Sequence, residues 1–79
     1  MPTVLRIRSY SVGFYAADRD EPEHVHVRQE RREAKYWLVP FLRLARNKGF
    51  RPHELTEIEK ILNQNLSSIL ETWNAYFRR

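Results

Sequence analysis

His24-Val25-His26-Val27-Arg28 alternates polar and apolar side chains without a break, and a second alternating run, Glu33-Ala34-Lys35-Tyr36-Trp37-Leu38, begins soon after it. Successive side chains of a strand point to opposite faces, so each run carries one apolar and one polar face. Joined around Gln29-Glu30-Arg31-Arg32, the runs make a hairpin whose register follows from the pattern. With Arg28 opposite Glu33, Val27 faces Ala34, His26 faces Lys35, Val25 faces Tyr36 and His24 faces Trp37. Val25, Val27, Ala34, Tyr36 and Leu38 then share a buried face. His24, His26, Arg28, Glu33, Lys35 and Trp37 share the opposite, solvent-facing one. A slip of one residue would mix the two sets, so this pairing is the one the pattern supports.

The flanking segments extend the sheet. Thr3 to Arg8 and Tyr10 to Ala16 are rich in Val, Ile, Tyr and Phe, with Ser9 marking a tight connection. In the first, Val4 and Arg6 share one face and Leu5 and Ile7 the other. In the second, Tyr10, Val12 and Phe14 face one way, and Gly13 marks a bulge or a close approach. Asp18 to Glu23 reads as a polar loop. Pro40 to Arg46, with Phe41, Leu44 and Ala45 at helical spacing and Gly49 as a stop, reads as a short linking helix. From Pro52 onward, Leu55, Ile58, Ile61, Leu62, Leu66, Ile69, Leu70, Trp73, Tyr76 and Phe77 recur at helical spacing, with Arg78 and Arg79 at the negative end. The expected fold is therefore α+β, a single domain over residues 1–79. It has an antiparallel sheet of about four strands, a short linking helix, and one long C-terminal helix across one face.

Size and composition narrow the chemistry. A chain of 79 residues buries only about 60% of the surface its unfolded form exposes, so its stability is modest. The absence of cysteine removes disulfides, thiolate nucleophiles and Cys-ligated zinc. No apolar run approaches the roughly 18 residues that span a bilayer. The N-terminus lacks the apolar core of a secretory signal, and a soluble cytoplasmic protein is the expectation. The formal charge of +4 is unevenly distributed. Its surplus lies in residues 28–51, where Arg28, Arg31, Arg32, Lys35, Arg43, Arg46, Lys48 and Arg51 face only Glu30 and Glu33. Such a field suits an anionic partner, nucleic acid or an acidic protein, although it also serves plain solubility.

His24-x-His26 admits three readings. As an acid–base pair, one imidazole takes a proton while the other gives one, and Arg28 or Lys35 stabilises a developing phosphorane charge, as in metal-free RNA cleavage. As a metal site, same-face neighbours about 6.5–7 Å apart can share an ion, with Asp18, Asp20, Glu21 or Glu23 adding a carboxylate. As a structural feature, the histidines simply pair across the hairpin with Lys35 and Trp37. Trp37 beside cations is suited to stacking an unpaired base, or else to packing on Arg28 or His24 or to burial under the Pro40–Arg46 segment. Arg43, Arg46, Lys48 and Arg51 would track a phosphate backbone or line a solvated turn.

Pro2-Thr3-Val4, Phe14-Tyr15, the acidic loop into Pro22-Glu23-His24-Val25-His26-Val27, Ala34-Lys35-Tyr36-Trp37-Leu38 and Trp73-Asn74-Ala75-Tyr76-Phe77 together resemble a family of small bacterial proteins, domain-of-unknown-function family 4160. The His-Val-His-Val strand is the most specific mark. The family commonly shows Pro-Pro before it, whereas Glu23 stands in the second place here. The resemblance implies a member of a two-gene toxin–antitoxin-type module, held in check by a cognate protein, and it carries over no catalytic residue.

The leading expectation is a toxin-like component acting on RNA. His24 and His26 transfer protons, and Arg28, Lys35, Trp37, Arg43 and Arg46 hold the nucleic acid. No cofactor is required. The alternative is a non-catalytic binding or regulatory module that meets an acidic protein or nucleic acid. Expected partners are an antitoxin-like protein, RNA and a second copy of the chain through uncovered sheet edges, with no membrane. A small metal-binding protein is the third option.

Overall fold

The computed structural model describes residues 3–77, with side chains from residue 5 onward; the expectations placed on Pro2, the Val4 side chain, Arg78 and Arg79 lie outside it. Five strands form one antiparallel meander in the order β1 (Thr3–Ile7), β2 (Tyr10–Gly13), β3 (His24–Gln29), β4 (Arg32–Trp37) and β5 (Arg43–Lys48). Two helices follow, α1 (Pro52–Gln64) and α2 (Leu66–Tyr76). The α+β class stands. The β3–β4 register is the one read from the alternation, His24 opposite Trp37 through Arg28 opposite Glu33, with Gln29 and Arg32 added at the turn.

Two elements differ from expectation. Residues 43–48 are a strand, where a short helix was expected over 40–46. The buried residues Ala34 and Tyr36 of β4 carry backbone groups that need partners along the strand's outer edge, and β5 supplies them. The fit is irregular: Tyr36 pairs Leu44 while Lys35 pairs Arg46, so Ala45 is an extra, bulged residue. The C-terminal helix is also broken. Asn65 leaves helical geometry (φ −120°, ψ 13°), its Nδ2 donates to the Ile61 carbonyl at 2.8 Å, and its backbone N–H reaches Leu62 O at 3.2 Å.

The helices cover one face of the sheet. Tyr10, Val12, Val25, Val27, Ala34, Tyr36 and Leu38 meet Phe50, Ile58, Ile61, Leu62 and Ile69 there. The break at Asn65 redirects α2, so that Trp73 and Phe77 form a second cluster with Phe14, at ring distances of 5.3 and 5.2 Å. Gly49 has φ +99°, a conformation that favours glycine, and turns the chain from β5 into α1. The Asn47 side chain holds that turn through bonds with the N–H and carbonyl of Phe50 at 3.0 and 2.9 Å.

Candidate functional site

The connection from β2 to β3 folds back over the polar face of the sheet. Its centre is a 3-10 turn, Ala16–Asp20, closed by the Asp18 N–H donating to Tyr15 O at 2.9 Å and the Glu21 N–H donating to Asp18 O at 3.0 Å. Asp18 also reaches back, its Oδ2 accepting the Tyr15 N–H at 2.7 Å. That grip fixes the carboxylate against β3. His24 is fully buried, and His26 and Asp18 are 5% and 8% exposed.

The histidines therefore occupy the predicted face, side by side at 5.2 Å between ring centroids, but not the predicted environment. They were expected at the solvent surface, and they lie beneath a cover. Tyr15 packs edge-on against His26 at 4.6 Å, while Trp37 and Trp73 flank His24 at 5.4 and 5.2 Å. Alternation dictates which face a side chain takes; it is silent on what folds over that face.

The polar atoms around the pair are poorly matched. His24 Nδ1 lies 2.8 Å from the Pro22 carbonyl, which can only accept, so Nδ1 carries the proton. The opposite nitrogen, Nε2, sits 3.2 Å from Asp18 Oδ2, yet the alignment is wrong for a hydrogen bond and the atom has no partner. His26 Nε2 approaches the same oxygen at 3.2 Å, within hydrogen-bonding geometry. Its Nδ1 stands 3.3 Å from Glu33 Oε2 without alignment. The directions leave two buried nitrogens, His24 Nε2 and His26 Nδ1, with nothing to bond. Burial lowers the His26 pKa below that of a free imidazole, with His24 pushing the same way, and the nearby Asp18 and Glu33 carboxylates only partly compensate.

The rest of the polar face is basic and uncovered by helices. Pairing across the strands sets His24, Trp37 and Arg43 in one row, His26, Lys35 and Arg46 in the next, and Arg6, Ser11, Arg28, Glu33 and Lys48 in a third. All five predicted nucleic-acid contacts, Arg28, Lys35, Trp37, Arg43 and Arg46, thus fall on one surface. Lys35 Nζ sits 4.4 Å from the Trp37 ring centroid and 2.5 Å from Glu21 Oε1. Arg28 leans on Glu33 at 3.5 Å, and Arg43 donates to the Val39 carbonyl at 3.2 Å. Arg46 and Lys48 are exposed and form no ion pair among the described residues, and together with Glu33, Lys35 and Asn47 they line a groove. Arg51 lies outside the strands, at the N-cap position of α1.

Sequence reasoning left out Arg6 and did not give Lys48 a place beside Lys35. The bulge at Ala45 hides the place of Lys48: it puts Arg43 and Arg46 three residues apart yet on one face, which breaks the two-residue period of a strand. Asp18 was one of four acidic candidates in its loop, and only the 3-10 turn singles it out.

No curated protein and no solved structure matches this chain significantly. The family described as domain of unknown function (DUF4160) matches residues 9–74, the stretch that carries β2 to β5, both helices' buried faces and the covered histidine pair, and the chain belongs to that family.

Proposed function

We propose that the protein binds single-stranded RNA across the uncovered face of its sheet, as the basic member of a toxin–antitoxin-type pair. The observation that carries this reading is the juxtaposition of Trp37, capped by Lys35, with the neighbouring strand's Arg43, Arg46 and Lys48. An aromatic beside a row of cations suits unpaired bases, because the ring stacks while the cations hold phosphate. A duplex offers no such exposed base face. The same cations suit an acidic partner protein, which would compete with RNA for the surface.

In this reading RNA is held by the cations and Trp37, and His24 and His26 do not transfer protons. A cleaving role would require both rings to reach the scissile phosphate, and the 3-10 turn stands between them and solvent. The reading is checked by fluorescence anisotropy on a labelled single-stranded RNA. Wild-type protein binds with an affinity that falls steeply with salt, and each phosphate contact removed lowers the salt slope by about 0.7. Arg43→Ala, Arg46→Ala and Lys48→Ala together abolish most binding while leaving the circular dichroism spectrum unchanged. Trp37→Ala weakens binding by about 1–3 kcal/mol. Undiminished binding by the triple variant would reject the assigned surface. RNA turnover by wild-type protein that His24→Ala and His26→Ala together remove would restore the catalytic reading.

A further inference from the structure

We propose that Asp18, His24 and His26 form a binding site for a divalent first-row transition-metal ion, with Zn²⁺ the best match to the donor set. One ligand atom from each residue lies within 4.8 Å of the others. Asp18 Oδ2 stands 3.2 Å from both His24 Nε2 and His26 Nε2. Zinc bonds of 2.0–2.2 Å give tetrahedral ligand–ligand edges of about 3.4 Å, so two of the three edges already have the required length. The third, between the imidazoles, is the one an ion would draw in.

An unpaired buried nitrogen, His24 Nε2, points to a cation independently of this spacing. With Nδ1 of His24 committed to the Pro22 carbonyl, a neutral ring presents a bare lone pair from Nε2 toward a carboxylate. His26 stands between two carboxylates, Asp18 and Glu33, so either neutral tautomer turns a lone pair toward one of them. The two Nε2 atoms meet at one buried carboxylate oxygen, Asp18 Oδ2. A positive charge there resolves these conflicts: His24 Nε2 and His26 Nε2 donate lone pairs to the ion, and His26 Nδ1–H turns toward Glu33. Both rings then have the outer hydrogen bond that metal-ligating imidazoles usually make, one to a backbone carbonyl and one to a carboxylate. Two imidazoles with one carboxylate favour Zn²⁺, Co²⁺, Ni²⁺ or Fe²⁺ over the oxygen-seeking Mg²⁺ and Ca²⁺.

Such an ion would pin the 3-10 turn Ala16–Asp20 to β3. A small domain without cysteine gains most from a cross-link of this kind, because its core supplies little stability on its own. The site adjoins the RNA surface proposed above, through Trp37 and Glu33, but does not depend on it.

The test begins with the full chain, stripped with a chelator and titrated with ZnCl₂ or CoCl₂. One equivalent binds per chain, and MgCl₂ in the same concentration range does not. In ¹⁵N-imidazole NMR spectra Co²⁺ shifts the His24 and His26 resonances and leaves exposed His53 unmoved. At free Zn²⁺ about 100 times the dissociation constant, the thermal midpoint rises by about 10–20 °C. Asp18→Asn, which keeps an acceptor for the Tyr15 N–H, weakens binding by at least about 100-fold, and His53→Asn does not. No stoichiometric uptake by wild-type protein overturns the proposal. So does uptake that moves only His53, and neither result depends on whether any variant folds.

Discussion

Glu30 takes φ 56° at the first position of the two-residue β3–β4 loop, since Gln29 and Arg32 pair directly. A side chain with a Cβ is strained in that left-handed region, and hairpin turns that need it prefer glycine or asparagine. Glu30→Gly relieves the strain, and the gain outweighs the extra freedom of the unfolded chain. The expected result is about 1 kcal/mol of added stability, read as a higher urea midpoint with an unchanged m-value. Tyr10 sets a second residue-scale expectation. Burial, helped by its hydrogen bond to Glu57 at 2.8 Å, pushes the Tyr10 hydroxyl up to about 12. The unfolded chain ionises near 10, so stability is full below that pH and declines as pH rises from about 10 to 12. Tyr36, buried and bonded to Glu59 at 2.9 Å, is shifted the same way and adds to the decline. Tyr10→Phe makes the alkaline loss shallower in denaturant titrations across that range.

At the scale of elements, α2 matters because it closes over His24. Trp73 is 2% exposed and touches Phe14, Phe77 and His24. Trp73→Ala should cost about 3–5 kcal/mol, a large part of the stability of so small a domain, and thermal unfolding followed by circular dichroism would show it. The start of α1 gives a pH test of opposite sign. The Arg51 backbone N–H donates to Glu54 Oε1 at 2.8 Å, and this bond, more than nearby Arg32, holds the Glu54 pKa below the usual carboxylate value. A depressed folded pKa stabilises above the unfolded value of 4.5. That contribution is lost as pH falls through the Glu54 pKa, and Glu54→Gln removes this part of the acid sensitivity. These elements also show what the sequence could reveal. The β3–β4 hairpin was legible residue by residue because its alternation is unbroken and one face is buried. β5 was not, since a bulge at Ala45 erases its period and β4, not local propensity, makes it a strand. The break at Asn65 was hidden for a related reason: apolar spacing runs through it, and only a side chain bonding the Ile61 carbonyl marks the change of direction. The cover over the histidines is a tertiary event that no local pattern encodes.

Across the whole molecule, charge is sorted by face. Glu54, Glu57 and Glu59 sit on α1, where Glu57 pairs with Arg8 and Glu54 with Arg32, while the strands' other face holds Arg6, Arg28, Lys35, Arg43, Arg46 and Lys48. The surplus positive charge is therefore concentrated beside the exposed edge strand β5. That placement bears on self-association, which open sheet edges invite. Two copies joined antiparallel along β5 would set the arginines and lysine of one edge against those of the other. The bulge at Ala45 further spoils the ladder such a pair would need. Both features are recognised guards against edge-to-edge pairing, and they leave β5 and its groove open to an anionic ligand. The chain is accordingly expected to sediment as a 9.6 kDa monomer at moderate salt. Replacing Arg43, Arg46 and Lys48 with threonine, a residue that favours strands, removes the repulsion and leaves Phe41 and Leu44 exposed, so that variant associates at the same concentration. A wild-type dimer at moderate salt would mean that attraction along this edge outweighs the repulsion, and the basic groove would then lie at a subunit interface.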